Sequence, residues 1–274
     1  MSLIQSVQGV WKFRELTMTL VWKEIVVRYK QAYLGVALSI LKPLLLTLMF
    51  TLLRGLINFN TGPIPYPLLT FAAMLPWVFF QEGTSQGVNS VVGNATLINK
   101  IYFPREIFPI VAVSTKFVEL GIDLLILVGM MLCYGYYPSV YMLWVFPLLI
   151  YLVLATLSVC MAGAALNVFY RDVSQLLPVG ISMVMYASPV LYPLSMVKET
   201  LLVKQSAGAW SNVLYYVYTI NPMAGLIDAF QKVILERRAP DLEVMWCGMI
   251  FVTVLLPVSY TIFKRAEAYF SDVI

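Results

Sequence analysis

This sequence predicts an all-α, polytopic membrane protein, and three observations lead there. From Leu34 to Ile274 the chain is a succession of apolar runs, most of them near the roughly 20 residues that a helix needs to cross a bilayer. Hydrophobic residues make up 61% of its 274 residues and charged ones 12%, with a mean hydropathy of +0.83, far outside the soluble range. The runs lack strict alternation, so they read as helices and not as strands of a closed barrel. There is room for six spans with short loops and none for a separate extramembrane domain. Residues 1–274 are therefore read as one transmembrane domain.

The elements follow in order. Residues 7–33 mix Trp11, Phe13, Leu16, Met18 and Trp22 with Lys12, Arg14, Lys23, Arg28 and Lys30. That is the composition of an amphipathic helix lying in the membrane interface, aromatics at headgroup depth and cations toward anionic lipid. A solvated tail is the alternative. Charge throughout this stretch, with no early apolar core, gives no expectation of a signal peptide. Span 1 covers about 34–57, and its Lys42 is read as snorkelling toward the interface. A turn cluster follows at Asn58–Tyr66. Span 2, about 67–92, is intensely apolar only to Phe80. Beyond it Glu82, Ser85, Gln86 and Asn89 recur at helical spacing, which reads as one long helix turning a polar face inward, or as a re-entrant segment.

Span 3 covers about 107–132 after the charged loop Asn99–Glu106, and span 4 about 141–168. Span 5, about 176–196, holds Pro178, Pro189 and Pro193. Val197–Leu242 is the longest loop, expected to carry short re-entrant-type helices broken at Asn221-Pro222. Span 6 covers about 243–263. Lys and Arg concentrate in the segments that share a side with the N-terminus (Lys12, Arg14, Lys23, Arg28, Lys30, Lys100, Arg105, Arg171, Lys264, Arg265), which puts both termini in the cytoplasm. Cys133, Cys160 and Cys247 are scattered through apolar stretches and read as small hydrophobes, with no metal or disulfide pattern.

Several function classes are weakened by what is missing. Gly83-Thr84-Ser85-Gln86-Gly87 matches a nucleophile elbow, but that motif needs a strand–turn–helix setting and a histidine base, and the chain has no histidine. Small residues that let helices pack closely explain the two glycines better. No G-x-x-x-x-G-K-[ST] loop is present to cradle ATP phosphates, so ATP-driven work would need a second polypeptide. Lys116, Glu119 and Asp123 share one face of span 3. Charges at such depth pair, line a polar pathway or relay ions, and all three readings stay open. Trp77, Phe79, Phe80, Tyr134, Tyr137, Tyr141 and Trp144 read as interfacial anchors. Tyr186 and Tyr192 flank Pro189 and offer faces on which sugar rings could stack.

Taken together, particular segments resemble the membrane subunit of type-2 ABC exporters for lipid-linked polysaccharides (the O-antigen, capsule and teichoic acid family). They are the basic amphipathic N-terminus, Leu41-Lys42-Pro43-Leu44, Asn99-Lys100-Ile101-Tyr102-Phe103-Pro104-Arg105-Glu106, Tyr170-Arg171-Asp172-Val173, Ser188-Pro189-Val190-Leu191-Tyr192 and Asn221-Pro222-Met223-Ala224-Gly225-Leu226. Lys42 departs from the pattern, since relatives often carry Asn before that proline. The resemblance implies a permease of the bacterial inner membrane: a homodimer of six-helix subunits with two copies of an ABC ATPase, which would bind ATP and Mg; this chain itself would hold no cofactor. It implies a channel lined by spans 1 and 5; Tyr186 and Tyr192, by their aromatic faces, are expected to face it. Residues 99–106 would couple to the ATPase, and Asn221 and Pro222 would belong to an outer gate. Two other classes compete. An ion-driven secondary transporter would use Lys116, Glu119 and Asp123 as its relay, but it usually shows internal repeats, and the halves 1–137 and 138–274 do not match. An intramembrane enzyme would need acidic or histidine side chains clustered at one depth.

Overall fold

A computed structural model describes residues 11–30, 33–57, 63–98, 100, 103–204 and 209–273. Its order is α1 (Arg14–Lys30), α2 (Tyr33–Ile57), α3 (Tyr66–Asn89), a short α4 (Ala95–Ile98), α5 (Ile107–Cys133), α6 (Val145–Phe169), α7 (Val173–Tyr186), α8 (Leu194–Lys198), α9 (Ala209–Ile220), α10 (Pro222–Gln231), α11 (Leu242–Glu267) and a terminal turn, α12 (Phe270–Val273). There is no strand among the described residues. By length and composition, Val140–Phe169 and Leu242–Glu267 are long and apolar enough to cross a membrane. Helix α5 is as long, at 27 residues, but carries Lys116, Glu119 and Asp123.

Helix α3 is the hub. It packs against α2, α5, α6, α7 and α10, and Tyr66 and every residue from Leu68 to Phe80 are buried. This corrects the interfacial reading of Trp77, Phe79 and Phe80, which are core residues with no more than 6% exposure. The unusually continuous apolar run has a physical reason: a helix surrounded on all sides needs no polar face. The run ends at Gln81 because α3 leaves the centre there. Gly83, Thr84, Gly87 and Val88 still face inward, while Glu82, Ser85 and Gln86 are half-exposed and Asn89 is exposed. The stretch read as span 2 forms one continuous helix that ends at Asn89, followed by a 3-10 turn at Val92–Asn94.

Gly83 and Gly87 are spaced for contact with α6. A Cβ on Gly83 would lie 3.0 Å from Thr156 Cγ2, and one on Gly87 would overlap the Cys160 sulfur. The packing role that the sequence suggested for the two glycines is therefore what they have.

Prolines sit where helices tolerate them or stop. Pro109 falls in the first turn of α5, where an N–H is unneeded. Gly135, at φ +75°, closes the far end of that helix, and its neighbour Tyr136 donates its N–H to the Met131 carbonyl at 2.8 Å; this left-handed helix stop suits glycine. Span 5 was expected to run to Met196. Instead α7 ends at Tyr186, the chain turns through 187–193, and α8 starts after Pro193. Pro189 cannot donate an N–H to continue α7, and a proline disfavours helical geometry in the residue before it.

The bundle has two ends with different cores. The apical end holds the start of α3, the end of α5 and α8–α10. The basal end gathers Phe103, Phe108, Ile98, Val168, Tyr260, Phe263 and Phe270 into a separate apolar cluster, against which Phe13, Leu16, Leu20 and Val21 rest. Phe103 pairs with Phe108 and Phe263 with Phe270, ring centroids 5.3 and 5.4 Å apart. Helix α1 therefore lies on the basal flank, packed on α5 and α2, with Met18, Trp22 and Val27 turned outward.

Candidate functional site

Four helices bring charge to one level. Lys42 lies about 14 Å along α2 and Lys116 about 14 Å along α5 from their basal starts, and Glu82 about 11 Å before the basal end of α3. Their side chains join in a chain. Lys42 Nζ meets Glu82 Oε1 at 2.7 Å, Lys116 Nζ meets Glu82 Oε2 at 2.8 Å and Glu119 Oε2 at 3.0 Å, and Arg28 Nη1 of α1 meets Glu119 Oε1 at 2.6 Å. Each carboxylate thus holds two cations. A second tie joins α1 to α3, where Gln86 Nε2 donates to Glu24 Oε2 at 3.3 Å. Burial raises the Glu24 carboxyl above its ordinary value, an effect opposed by Arg28 and the Gln86 hydrogen bond.

Of the readings left open for these charges, pairing describes Lys116 and Glu119; the sequence did not reveal Arg28 and Glu82 as their partners. Lys42, read as snorkelling, has its ammonium held by Glu82. Asp123 lies one helical turn beyond Glu119, 4% exposed, and makes no ion pair with a described residue. It borders a cavity of about 10 Å³ shared with Lys116, Glu119, Leu75 and Phe79, room for one water.

The charged chain forms a wall of a larger open cavity of ≈ 440 Å³, lined by Arg28, Lys42, Gln81, Glu82, Gln86 and Lys116 and closed on one side by Pro178 of α7. Gln81 Nε2 donates to Ser182 Oγ at 2.8 Å, fixing α7 to α3 there. On either side of this cavity α2 and α7 turn apolar residues outward, among them Leu45, Leu48, Leu52, Leu176, Val179 and Met183. The arrangement offers a polar surface between two apolar faces.

At the basal end, the segment expected to reach an ATPase is partly tied down. Glu106 is 2% exposed, and Lys264 Nζ sits 2.6 Å from its Oε2 and 2.7 Å from Glu267 Oε2. The Arg105 N–H donates to Glu267 Oε1 at 3.1 Å, and its guanidinium donates to the Glu267 carbonyl. Glu106 therefore ties the segment to α11. Phe103 is buried and Pro104 half-exposed, and Lys100 is exposed. Asn99, Ile101 and Tyr102 lie outside the described residues. The neighbouring Tyr170–Val173 turn has a simple anchor: Asn167 donates to the Val88 carbonyl at 3.2 Å and accepts from the Ser174 N–H at 3.1 Å.

At the apical end, Tyr186 is 62% exposed. Tyr192 is not a further turn along the same helix, as the sequence suggested; it folds back and donates its hydroxyl to the Tyr186 carbonyl at 3.1 Å. Tyr66 secures the same turn by donating to the Leu191 carbonyl at 2.9 Å. Asn221 caps α10, its side chain accepting from the Met223 N–H at 3.1 Å while its amide donates to Ser188 Oγ at 2.8 Å. Pro222 occupies the first helical position. Asn221→Ala should remove the cap and the Ser188 bond together, costing about 1–2 kcal/mol; a lowered melting temperature of the purified protein would report it. Farther out, Lys232 Nζ bridges Asp228 and Asp241, 2.6 Å from each. The Lys232 hydrogen bond holds the Asp241 carboxyl below its ordinary value of 3.8. A depressed folded-state pKa contributes stability above the unfolded value that is lost as pH falls through the folded one. Acidification below that range should therefore loosen this corner, and Asp241→Asn should remove the acid-dependent step from a pH series of melting curves.

Comparison with known proteins identifies the class of this all-helical bundle, with its long apolar helices and its charge paired at one depth. Residues 15–235 match the ABC-2 type transporter family; the chain belongs to that family and is a membrane transport subunit. It is similar along nearly its whole length to the O-antigen export system permease protein RfbA of Myxococcus xanthus, 28% identical over 271 residues that cover 98% of this chain and 99% of the relative. A Klebsiella pneumoniae protein of the same description is 25% identical over 263 residues, 95% of each chain.

Proposed function

We propose that this chain is the permease half of an ATP-driven exporter that carries a lipid-linked polysaccharide, O-antigen in the first instance, from the cytoplasm across the bacterial inner membrane. The observation that carries the reading is the end-to-end similarity to two O-antigen export permeases within a shared transporter family. In this reading α2, α3, α5, α6, α7 and α11 make six crossings, and the basal end, with both termini, faces the cytoplasm. Two copies pair through the outward apolar faces of α2 and α7 and enclose the path between them. Two ABC ATPase subunits sit below, seated on residues 99–106, and bind the ATP and Mg. The absence of a phosphate-binding loop from the sequence supports this division of labour. Tyr186 and Tyr192 face the path, and α8–α10, with Asn221 and Pro222, guard its exit. Tyr186 suits the role by its exposure. A sliding polymer needs broad weak contacts, and stacking of bases on aromatics in nucleic-acid channels, about 1–3 kcal/mol per unit, sets an upper scale for a sugar.

Deletion in the native host tests the function. Surface O-polysaccharide should vanish while its lipid-linked precursor accumulates inside, and both should revert when the gene is restored. Unchanged surface polysaccharide would refute the reading. Tyr186→Ala is expected to slow export or alter chain length while assembly with the ATPase is kept, as measured by surface polysaccharide profiles and co-purification. An unaltered profile would remove Tyr186 from the path.

A further inference from the structure

Helix α11 is fastened at both ends, by different means. At its basal end Lys264 grips Glu106, a carboxylate so deeply buried that it needs a cationic partner, and Glu267 engages both Lys264 and the backbone of Arg105. The rings of Phe263 and Phe270 lie in the same cluster as Phe103 and Phe108. At its apical end α11 lies backbone to backbone against α10. A Cβ on Gly248 would stand 2.9 Å from Pro222 Cα, and one on Gly225 would stand 3.0 Å from Met245 Cα. The Lys232–Asp241 ion pair closes the same corner, and α9 packs on α11 as well. Between the two fastenings the helix is unbroken for 26 residues, through Pro257, or about 39 Å. Over that length it packs mainly on α6, and its other side turns Trp246, Ile250, Val254, Val258 and Ile262 outward.

We propose that α11 is a strut that carries displacement of the basal segment to α9 and α10 at the apical end, with Lys264 the positioning residue that fastens it. The inference rests on the coupling role proposed above for residues 99–106. A close-packed helix transmits a push along its axis with little compression, since protein interiors are dense. Contact between backbones at Gly248 and Gly225 leaves no flexible side chain to absorb the movement. The ion network at Lys264 makes the basal joint directional: Glu106 and Glu267 hold the ammonium from two elements, so moving one moves the other.

The test uses the full complex of permease and ATPase in lipid vesicles, with ATP hydrolysis and polysaccharide transport measured on the same preparation. Lys264→Gln should leave ATP hydrolysis running but lower polysaccharide moved per ATP by about tenfold, within the ordinary range of coupling between sites. Lys264→Arg should restore the ratio. A well-folded Lys264→Gln complex with a normal ratio would overturn the strut. A second measurement leaves Lys264 intact. Spin labels at Ile250→Cys on α11 and Ile150→Cys on α6, with Cys133 and Cys247 changed to alanine, should report a distance that differs between nucleotide-free and ATP-bound states. An invariant distance would also overturn it. A cross-link from Lys100→Cys to the ATPase tests the coupling contact apart from the strut. If the link forms, any failure above belongs to the strut alone; if it never forms, the coupling reading falls and the strut with it.

Discussion

Lys116→Met is expected to cut the yield of folded protein sharply. The ammonium lies within 3.0 Å of one oxygen of Glu82 and one of Glu119, so without it two carboxylates face each other at no more than about 6 Å. At an effective dielectric near 20 their repulsion is about 3 kcal/mol, a large share of the 5–15 kcal/mol that holds ordinary domains together. Lys42 and Arg28 still oppose the outer oxygens, which keeps the loss below that of a fully unpaired buried charge. Adding Glu82→Gln should remove the repulsion and restore the yield, with transport intact. A single Lys116→Met protein that folded normally and had lost only transport would favour an ion relay through this chain instead.

Gly87→Val should be comparably damaging, for a steric reason. The first added carbon would overlap the sulfur of Cys160, a residue with no exposure at all, and α3 cannot retreat because α2, α5, α7 and α10 surround it. Overpacking of this kind costs about 1–3 kcal/mol. Helix propensity works the other way, gaining about 1 kcal/mol for alanine over glycine, and at this site it is outweighed. The pair Gly87→Ala with Cys160→Ala separates the two effects. It removes the sulfur and leaves a 3.2 Å approach between β-carbons, so it should melt close to the parent protein. If Gly87→Val itself melted like the parent, the α3–α6 contact would not be as close as described.

The chain's apolar runs made its long helices readable, and their spacing located Gly83 and Gly87 on a packing face. What could not be read was which helix is surrounded. Trp77 and Phe79 look the same in sequence whether they sit at a membrane surface or at the centre of a bundle; burial of α3 depends on five neighbours whose positions are set by tertiary packing. The charged chain was half legible. Lys116 and Glu119 are three residues apart and betray each other, whereas Glu82, Lys42 and Arg28 come from three other helices. For Lys42, Glu82 and Lys116 a common depth was the available signal, since each lies a similar number of helical turns from a basal boundary. Span 5 misled because apolar residues continue to Met196, although Pro189 and Pro193 had already made a continuous helix costly. The burial of Glu106 was hidden for the opposite reason. A carboxylate in a loop ordinarily faces water, and only the return of α11, with Lys264, explains its burial.

The central claim is that this ABC-2 subunit moves a lipid-linked polysaccharide at the expense of ATP hydrolysed by its partner. Reconstitution tests it most directly. The permease and its ATPase are placed in sealed vesicles with the lipid-linked O-polysaccharide confined to the ATPase side, and polymer is measured at the opposite face. Polymer should appear there only when hydrolysable ATP and Mg are added, and should stop when the ATPase is inactivated. Appearance of polymer driven by an ion gradient without ATP, or its absence from a complex that hydrolyses ATP and holds the intact substrate, would contradict the account.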